Sequence, residues 1–271
     1  MKQEDFDSWE QFETQILQLQ NVRTKAIEAQ KGSVSHFLFR GQGDHTWHLE
    51  TTLDRTGKSP WSFSKYFRLI SIARPQIETF TKLRWEIEDW PELQKWASSY
   101  DNLKLTQFPG YDYLVFLRHH GFPSPLLDWT RSPYVAAFFA FAQPRSERVA
   151  VYVYQEDTGH GKVGLSNSPQ IVSFGPYVRS HSRHFLQQSE YTIAARFLDS
   201  AWWYAPHEDV FAASSSTQDR LWKITMPATE RMKVLKILDA HNLNAFSLFQ
   251  TEEALLNTIA ARELELREKD L

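Results

Sequence analysis

Residues 119–142, HHGFPSPLLDWTRSPYVAAFFAFA, constrain the fold more than any other stretch of this chain. Two histidines, a proline-punctuated turn and an Asp-Trp-Thr-Arg-Ser run lead directly into an almost purely apolar segment. Polar groups pushed against so apolar a continuation must be paired once buried, so the stretch is either a network that buttresses the core or the wall of a site. Its punctuation is readable. Gly121 ends a helix over 111–120, and Ser132-Pro133 starts an apolar helix through Phe141, with Pro at its favoured first turn. Thr130 and Ser132 suit the N-cap of that helix better than Asp128 does. Upstream, the apolar run Phe37-Leu38-Phe39 stops abruptly at Arg40-Gly41-Gln42-Gly43.

Around these segments the periodicity predicts one α+β domain over 1–271, with a small mixed or antiparallel sheet, a helical insertion and flanking helices. Trp9, Phe12, Ile16 and Leu19 recur at helical spacing within 7–30, after Asp7 or Ser8 as cap. A short strand over 36–39 completes an N-terminal part spanning 7–56. Residues 47–55 read as an ordered loop or short helix. Residues 60–120 form the helical insertion, in which Pro75 and Pro91 each mark a start or a kink. Trp85, Trp90 and Trp96 there read as core rather than as a stacking platform for bases. Residues 121–271 hold the central motif, β-type runs at 149–154, 171–174, 191–194 and 221–226, a loop at 155–168, and closing helices at 228–241 and 252–268.

Composition sets the limits. The net charge of -3 argues against a protein that coats nucleic acid or membrane by charge alone, although a local basic groove survives that average. No apolar run reaches membrane-span length, and the acidic start MKQEDFDSWE does not read as a signal peptide. The absence of cysteine removes disulfides, thiolate nucleophiles and Cys-based zinc sites, which makes the cytoplasm the expected location. A Walker-type loop, a G-x-S-x-G elbow and an H-E-x-x-H motif are all missing from the sequence.

Several of these residues carry a resemblance. Phe39-Arg40-Gly41-Gln42, with Trp47, Leu49 and Arg55 after it, resembles the opening of the FRG domain, a bacterial family named for its Phe-Arg-Gly motif. The 119–142 segment resembles that family's central signature, which runs close to QHHGLPTRLLDWT. Here Arg118 stands for the usual Gln, and Pro125 where Arg is common. Residues 186–192 (LQQSEYT) resemble its Q-x-G-x-F-T patch with Ser189 for Gly. Residues 243–256 resemble its closing element with Gln250 for Pro.

A second resemblance is to ADP-ribosyltransferases, through the order Phe39-Arg40-Gly41, Thr130-x-Ser132 and Gln188-Ser189-Glu190-Tyr191. It implies an ADP-ribosyltransferase-like fold and an NAD-consuming mono-ADP-ribosyltransferase-like effector, a toxin or an anti-phage defence protein. NAD would be the substrate, and no metal is expected. Arg40, Gln188 and Glu190 are then the catalytic candidates. Arg40, Gly41, His120, Asp128, Thr130, Ser132 and Tyr191 are the candidates for holding the dinucleotide. The chemistry is coherent: a guanidinium grips pyrophosphate, hydroxyls orient the ribose, and a carboxylate stabilises the positive charge that grows as nicotinamide leaves. The acceptor is an unknown protein or nucleic acid, with an antitoxin or defence-system partner and no membrane partner expected.

The same residues support plainer readings. Arg40 can pair with Asp128 to close the fold, His120 can cap a helix end, and the polar centre can bind a nucleotide or peptide without turnover. A metal-dependent hydrolase or nuclease built on His119, His120, Asp128 and His181 is the remaining alternative. In it His181 and His184 would share a helix face, but Arg179 and Arg183 would repel a cation.

Overall fold

A computed structural model describes residues 1–29, 32–58, 60–100, 108–162, 167–179, 181–213 and 217–267. Its centre is one sheet, whose strands among the described residues are β1 (Lys2–Asp5), β2 (Leu38–Gln42), β3 (Leu127–Thr130), β4 (Arg148–Asp157), β5 (Gln170–Phe174), β6 (Ser189–Leu198), β7 (Ala201–Tyr204) and β8 (Gln218–Pro227). The order is β1-β8-β4-β2-β3-β6-β5, with β7 also on β6. Among the described strand pairs only β1–β8 is parallel. The long central strands form because Val, Ile, Tyr and Trp fill them and both faces are covered, as in the fully buried Val149–Tyr154 run of β4. The architecture is a single-domain α+β fold with an open, mixed sheet.

Two apolar layers cover the sheet. Helix Trp9–Glu28 buries Trp9, Phe12, Ile16 and Leu19, the stripe that the sequence spacing marks. It packs with helix Pro133–Ala142 against Phe39, Val151, Val153, Ile224 and Met226. Helices Phe63–Thr81, Trp90–Ala97 and Tyr111–His119 cover the β6 side through Phe63, Tyr66, Phe67 and Tyr113. Trp85 and Trp96 join this cluster, Trp85 against Tyr113 and Phe116, whereas Trp90 is 41% exposed and is not core. Helix Phe63–Thr81 also runs through Pro75, which therefore marks no helix start. Pro75 is exposed, and its ring removes one N–H from the helix ladder.

Helix Pro133–Ala142 is placed as its sequence predicts. Ser132 caps it by accepting from the Val135 N–H (3.3 Å), and Pro133 fills the first turn. What holds it to the sheet is Gly41. A Cβ on that residue would lie 1.8 Å from the Ala136 carbonyl oxygen and 2.7 Å from the Ala140 nitrogen. Gly43 does the same at the helix end, where a Cβ would sit 2.6 Å from the Gln143 carbonyl oxygen. The two glycines of the Arg-Gly-Gln-Gly run are therefore fixed by helix-on-strand contact.

Other elements differ from the sequence reading. β1 and β7 go unpredicted, because the polar KQED of β1 takes strand form only by pairing with β8, and β7 returns from a two-residue turn at Asp199-Ser200, both in left-handed conformation. The central Leu-Asp-Trp-Thr run forms β3, a strand the sequence reading does not list. β4 takes in 155–157 of the expected loop, of which 163–166 lie outside the described residues. Short helices Ser182–Leu186 and Ala245–Phe249 also went unread. The first closing helix is confined to Arg231–Ala240, and the last, Glu252–Ala260, runs into a π-turn over Ala261–Leu266; residue 268 is outside the described residues. None of the helices among the described residues is long and apolar enough to cross a membrane.

Gly41→Ala should therefore destabilise the fold by about 1–3 kcal/mol or more, the scale of an overpacked core, because backbone atoms and not a flexible side chain block the methyl group. Urea unfolding measures this. An unchanged midpoint would mean that the helix does not sit this close to β2.

Candidate functional site

β2 and β4 stay in register over five residue pairs, from Leu38–Tyr154 to Gln42–Ala150, but β2 and β3 share only the pair Phe39–Thr130. Beyond that pair the two strands part, and a cleft of about 720 Å³ lies along the seam. β2 contributes Phe39 to Gln42, β3 contributes Asp128 to Thr130, and the approach to β6 adds Gln187 and Ser189. The far wall is the 44–50 loop, held to the sheet by the Tyr152 hydroxyl donating to the Trp47 carbonyl (2.9 Å) and Gln42 Nε2 donating to the His48 carbonyl (3.2 Å).

Arg40 and Asp128 meet at the seam. Arg40 Nη1 donates to both the Asp128 carbonyl (2.7 Å) and its carboxylate, while Arg118 Nη2 donates to the same carboxylate oxygen at 2.7 Å. Burial alone would raise the Asp128 pKa, but the Arg118 and Arg40 charges and their hydrogen bonds outweigh it and hold the carboxyl well below the usual range. The pairing leaves cationic capacity unused. Arg40 Nε, Arg118 Nε and Gln42 Oε1 are buried and have no hydrogen-bond partner within the protein. Arg55, also in the cleft wall, is lowered from the ordinary guanidinium value by burial and then by repulsion from Arg40 and Arg118. Arg145 completes a lining of three arginines against two carboxylates, Glu50 and Asp128. Trp47, 49% exposed, offers its ring beside them. The result is a cleft whose lining carries more positive than negative charge, with an aromatic surface at its edge.

The predicted residues divide. Arg40, Gly41, Asp128 and Thr130 line this cleft. The Thr130 hydroxyl is already used, donating to the Gln187 carbonyl (2.6 Å) and accepting from the Ser132 N–H (3.1 Å). Ser132 is the helix cap and not a cleft residue. Gln188 is exposed in a left-handed conformation, and its carbonyl accepts from the Arg131 N–H, while its neighbour Gln187 faces the cleft instead. His120 lies at the exposed end of helix Tyr111–His119, with its ring on Phe116. Gly41 lines the cleft, and the side where a Cβ would stand is filled by the helix backbone.

Glu190 departs most from the expected triad. β6 pairs Glu190 with Trp129 and Tyr191 with Asp128, so strand alternation sends the two β6 side chains to opposite faces. Glu190 is 2% exposed and is bound by His36 Nε2 (2.9 Å) and Arg131 Nε. None of these three lines the Arg40 cleft. Tyr191 is fully buried in a relay that the sequence does not announce. His184 Nε2 donates to the Pro176 carbonyl (2.9 Å), and burial lowers the His184 pKa, so its Nδ1 accepts from the Tyr191 hydroxyl at 3.2 Å. The Tyr191 oxygen then accepts from His119 Nε2 (2.6 Å), whose pKa burial pushes down to about 4. His181 caps the short helix that carries His184, accepting from the Arg183 N–H. The described residues hold no group of three or more His, Asp or Glu side chains placed to share a metal ion.

Among the cleft residues missed from sequence are Glu50, Arg145, Gln143 and Gln187. Trp47 and Arg55 stand in the motif, but spacing alone gives them no role.

The Asp128 carboxylate makes stability depend on acid. Its folded pKa lies below the unfolded value, so its stabilisation is fully present above about pH 4 and is lost as pH falls further. The side chain is 38% exposed, which screens the pair and limits the contribution to about 1–2 kcal/mol. Asp128→Asn should lower the melting temperature at pH 7 and flatten its fall between pH 5 and 3. An equal acid slope in both proteins would take Asp128 out of the account.

Three comparisons with known proteins bear on this site. No curated protein and no solved structure matches the chain. A family model does match, over residues 35–148, a span that takes in β2, the cleft loop, Arg118, Asp128 and the whole core helix, and stops short of β6. The cleft is thus built largely from the matched segment, and the chain carries an FRG domain.

Proposed function

We propose that the protein recognises a dinucleotide of the NAD type in the Arg40 cleft. The observation that carries this reading is the unspent guanidinium: Arg40 engages Asp128 through Nη1 alone and keeps a buried, unpartnered Nε at the seam. A pyrophosphate accepts from such a fork in a way that a single carboxylate does not exhaust. Arg55 adds charge, Trp47 adds a face for a planar ring, and a cleft of about 720 Å³ falls in the range of ligand pockets. In this reading the domain is a ligand-binding module. Asp128 tunes the arginines and takes no chemical step, because two guanidinium groups keep it ionised and engaged.

One observation favours a second reading, that of an NAD-consuming transferase-like effector. Glu50 is an exposed carboxylate in the same cleft wall as Arg40 and Thr130. It supplies the negative charge that bond cleavage at the ribose needs and that Glu190, bound by His36 and Arg131, does not bring to this cleft. Expression of the intact protein should then slow growth of a bacterial host, and Glu50→Gln should relieve it.

Titration calorimetry with NAD tests the first reading. Arg40→Lys keeps a positive charge but loses the planar fork, and should weaken NAD binding about 10- to 100-fold, the cost of about 1.4–2.8 kcal/mol for a charge-assisted bidentate contact. Unaltered affinity in a well-folded variant would remove Arg40 from recognition. Nicotinamide release separates the two readings. If the wild type turns NAD over, Glu50→Gln should cut the rate by about 10² or more while Glu190→Gln leaves it within a few-fold; the reverse pattern would restore Glu190 as the catalytic carboxylate.

A further inference from the structure

The arginines that line the cleft fall into two groups. Arg40 and Arg55 stand together at the seam, where the charges acting on Arg55 are those of Arg40, Arg118, Asp128 and Glu50. Arg145 is held elsewhere. Its backbone N–H donates to the Gly43 carbonyl (2.7 Å), three residues beyond Arg40. At about 3.3 Å per extended residue these two anchor points are roughly 10 Å apart along the cleft.

The two groups differ in what already engages them. Arg40 is paired with Asp128, and Arg55 Nη1 donates to the Glu50 carbonyl (3.3 Å). Arg145 forms no ion pair among the described residues; its Nη2 donates only to Gln143 Oε1, a neutral acceptor two residues back (3.2 Å). Its side chain is exposed. Both carboxylates of the lining belong to the seam, Asp128 under two guanidinium groups and Glu50 within reach of the Arg55 charge. The cleft therefore carries a second cation, set apart from the first and without an acid paired to it.

A dinucleotide with its pyrophosphate at Arg40 has a ribose on either side of that group. The 2'-position of the adenosine ribose is where such ligands are told apart. A carboxylate there accepts from a free 2'-hydroxyl and repels a phosphate, whereas an arginine pairs with a 2'-phosphate through its planar fork. Arg145 supplies the second kind of group, and no carboxylate of the lining is paired with it.

We propose that the cleft selects the 2'-phosphorylated dinucleotide, NADP, over NAD, with Arg145 holding the 2'-phosphate. The inference rests on the dinucleotide reading of the cleft and narrows it to one ligand class. A phosphomonoester adds close to two negative charges and three strong acceptor oxygens, which suits a guanidinium whose bond to Gln143 leaves most of its donors free.

Titration calorimetry of the intact chain with NADP, NAD and inorganic pyrophosphate tests this. NADP should bind about tenfold or more tightly than NAD, the scale of one added charged contact, and its affinity should fall more steeply as salt rises. Arg145→Ala should cost NADP about ten times more affinity than it costs NAD, and Arg145→Glu should reverse the preference. A melting curve accompanies each variant, and the wild-type preference stands without any variant. Equal affinity for the two dinucleotides would overturn this inference and leave the dinucleotide reading in place. An NADP preference that survives in folded Arg145→Glu would likewise overturn the assignment to Arg145 alone. Binding of neither dinucleotide, or of pyrophosphate as tightly as both, would overturn the dinucleotide reading and this inference with it.

Discussion

The Arg40–Asp128–Arg118 cluster is the interaction around which the rest of the site is arranged. β2 and β3 agree in register at one residue pair and then diverge, and a sheet opened at its centre leaves polar backbone exposed to the interior. Arg40 closes that gap by donating to both the backbone carbonyl and the side chain of Asp128. Arg118, from the end of helix Tyr111–His119, ties the helical insertion to the same carboxylate. One acid thus joins β2, β3 and the insertion. Two cations on one anion leave a net positive centre, the excess on which the proposed nucleotide reading rests.

On the helix-covered side of β2 the constraint is steric. Gly41 and Gly43 let helix Pro133–Ala142 and its end approach the strand backbone more closely than any side chain would permit. Arg40 and Gln42, alternating with those glycines, stand toward the side where β4 presents Ala150 and Tyr152. The Arg-Gly-Gln-Gly run therefore does two jobs by alternation: its glycines seat a helix and its polar residues shape a cleft.

Much of this was legible in the sequence, and the failures have specific causes. The core helix with its Ser132 cap, the Trp9/Phe12/Ile16/Leu19 stripe and the Arg40–Asp128 pairing follow from local rules of capping, periodicity and the need of a buried Arg for an acid. Glu190 stays out of the cleft because His36 and Arg131, distant in sequence, bind its carboxylate, and no local pattern announces those partners. Gln187 lines the cleft while its exposed neighbour Gln188 does not. The glycines suggested ligand access because a sequence shows that space is needed but not what fills it. β1 was invisible because its KQED composition carries no strand signal apart from its partner. The cleft loop depends on Tyr152 and Glu208, more than a hundred residues away, which anchor Trp47 and Leu49.

The central claim is that the seam between β2 and β3 is a nucleotide site organised by Arg40. A crystal structure of the protein grown with NAD tests it most directly. The account predicts the pyrophosphate against the Arg40 guanidinium, Asp128 still held by Arg118, and a ring of the dinucleotide on Trp47. NAD bound elsewhere, with the Arg40–Asp128 contact undisturbed and no phosphate at the seam, would contradict it.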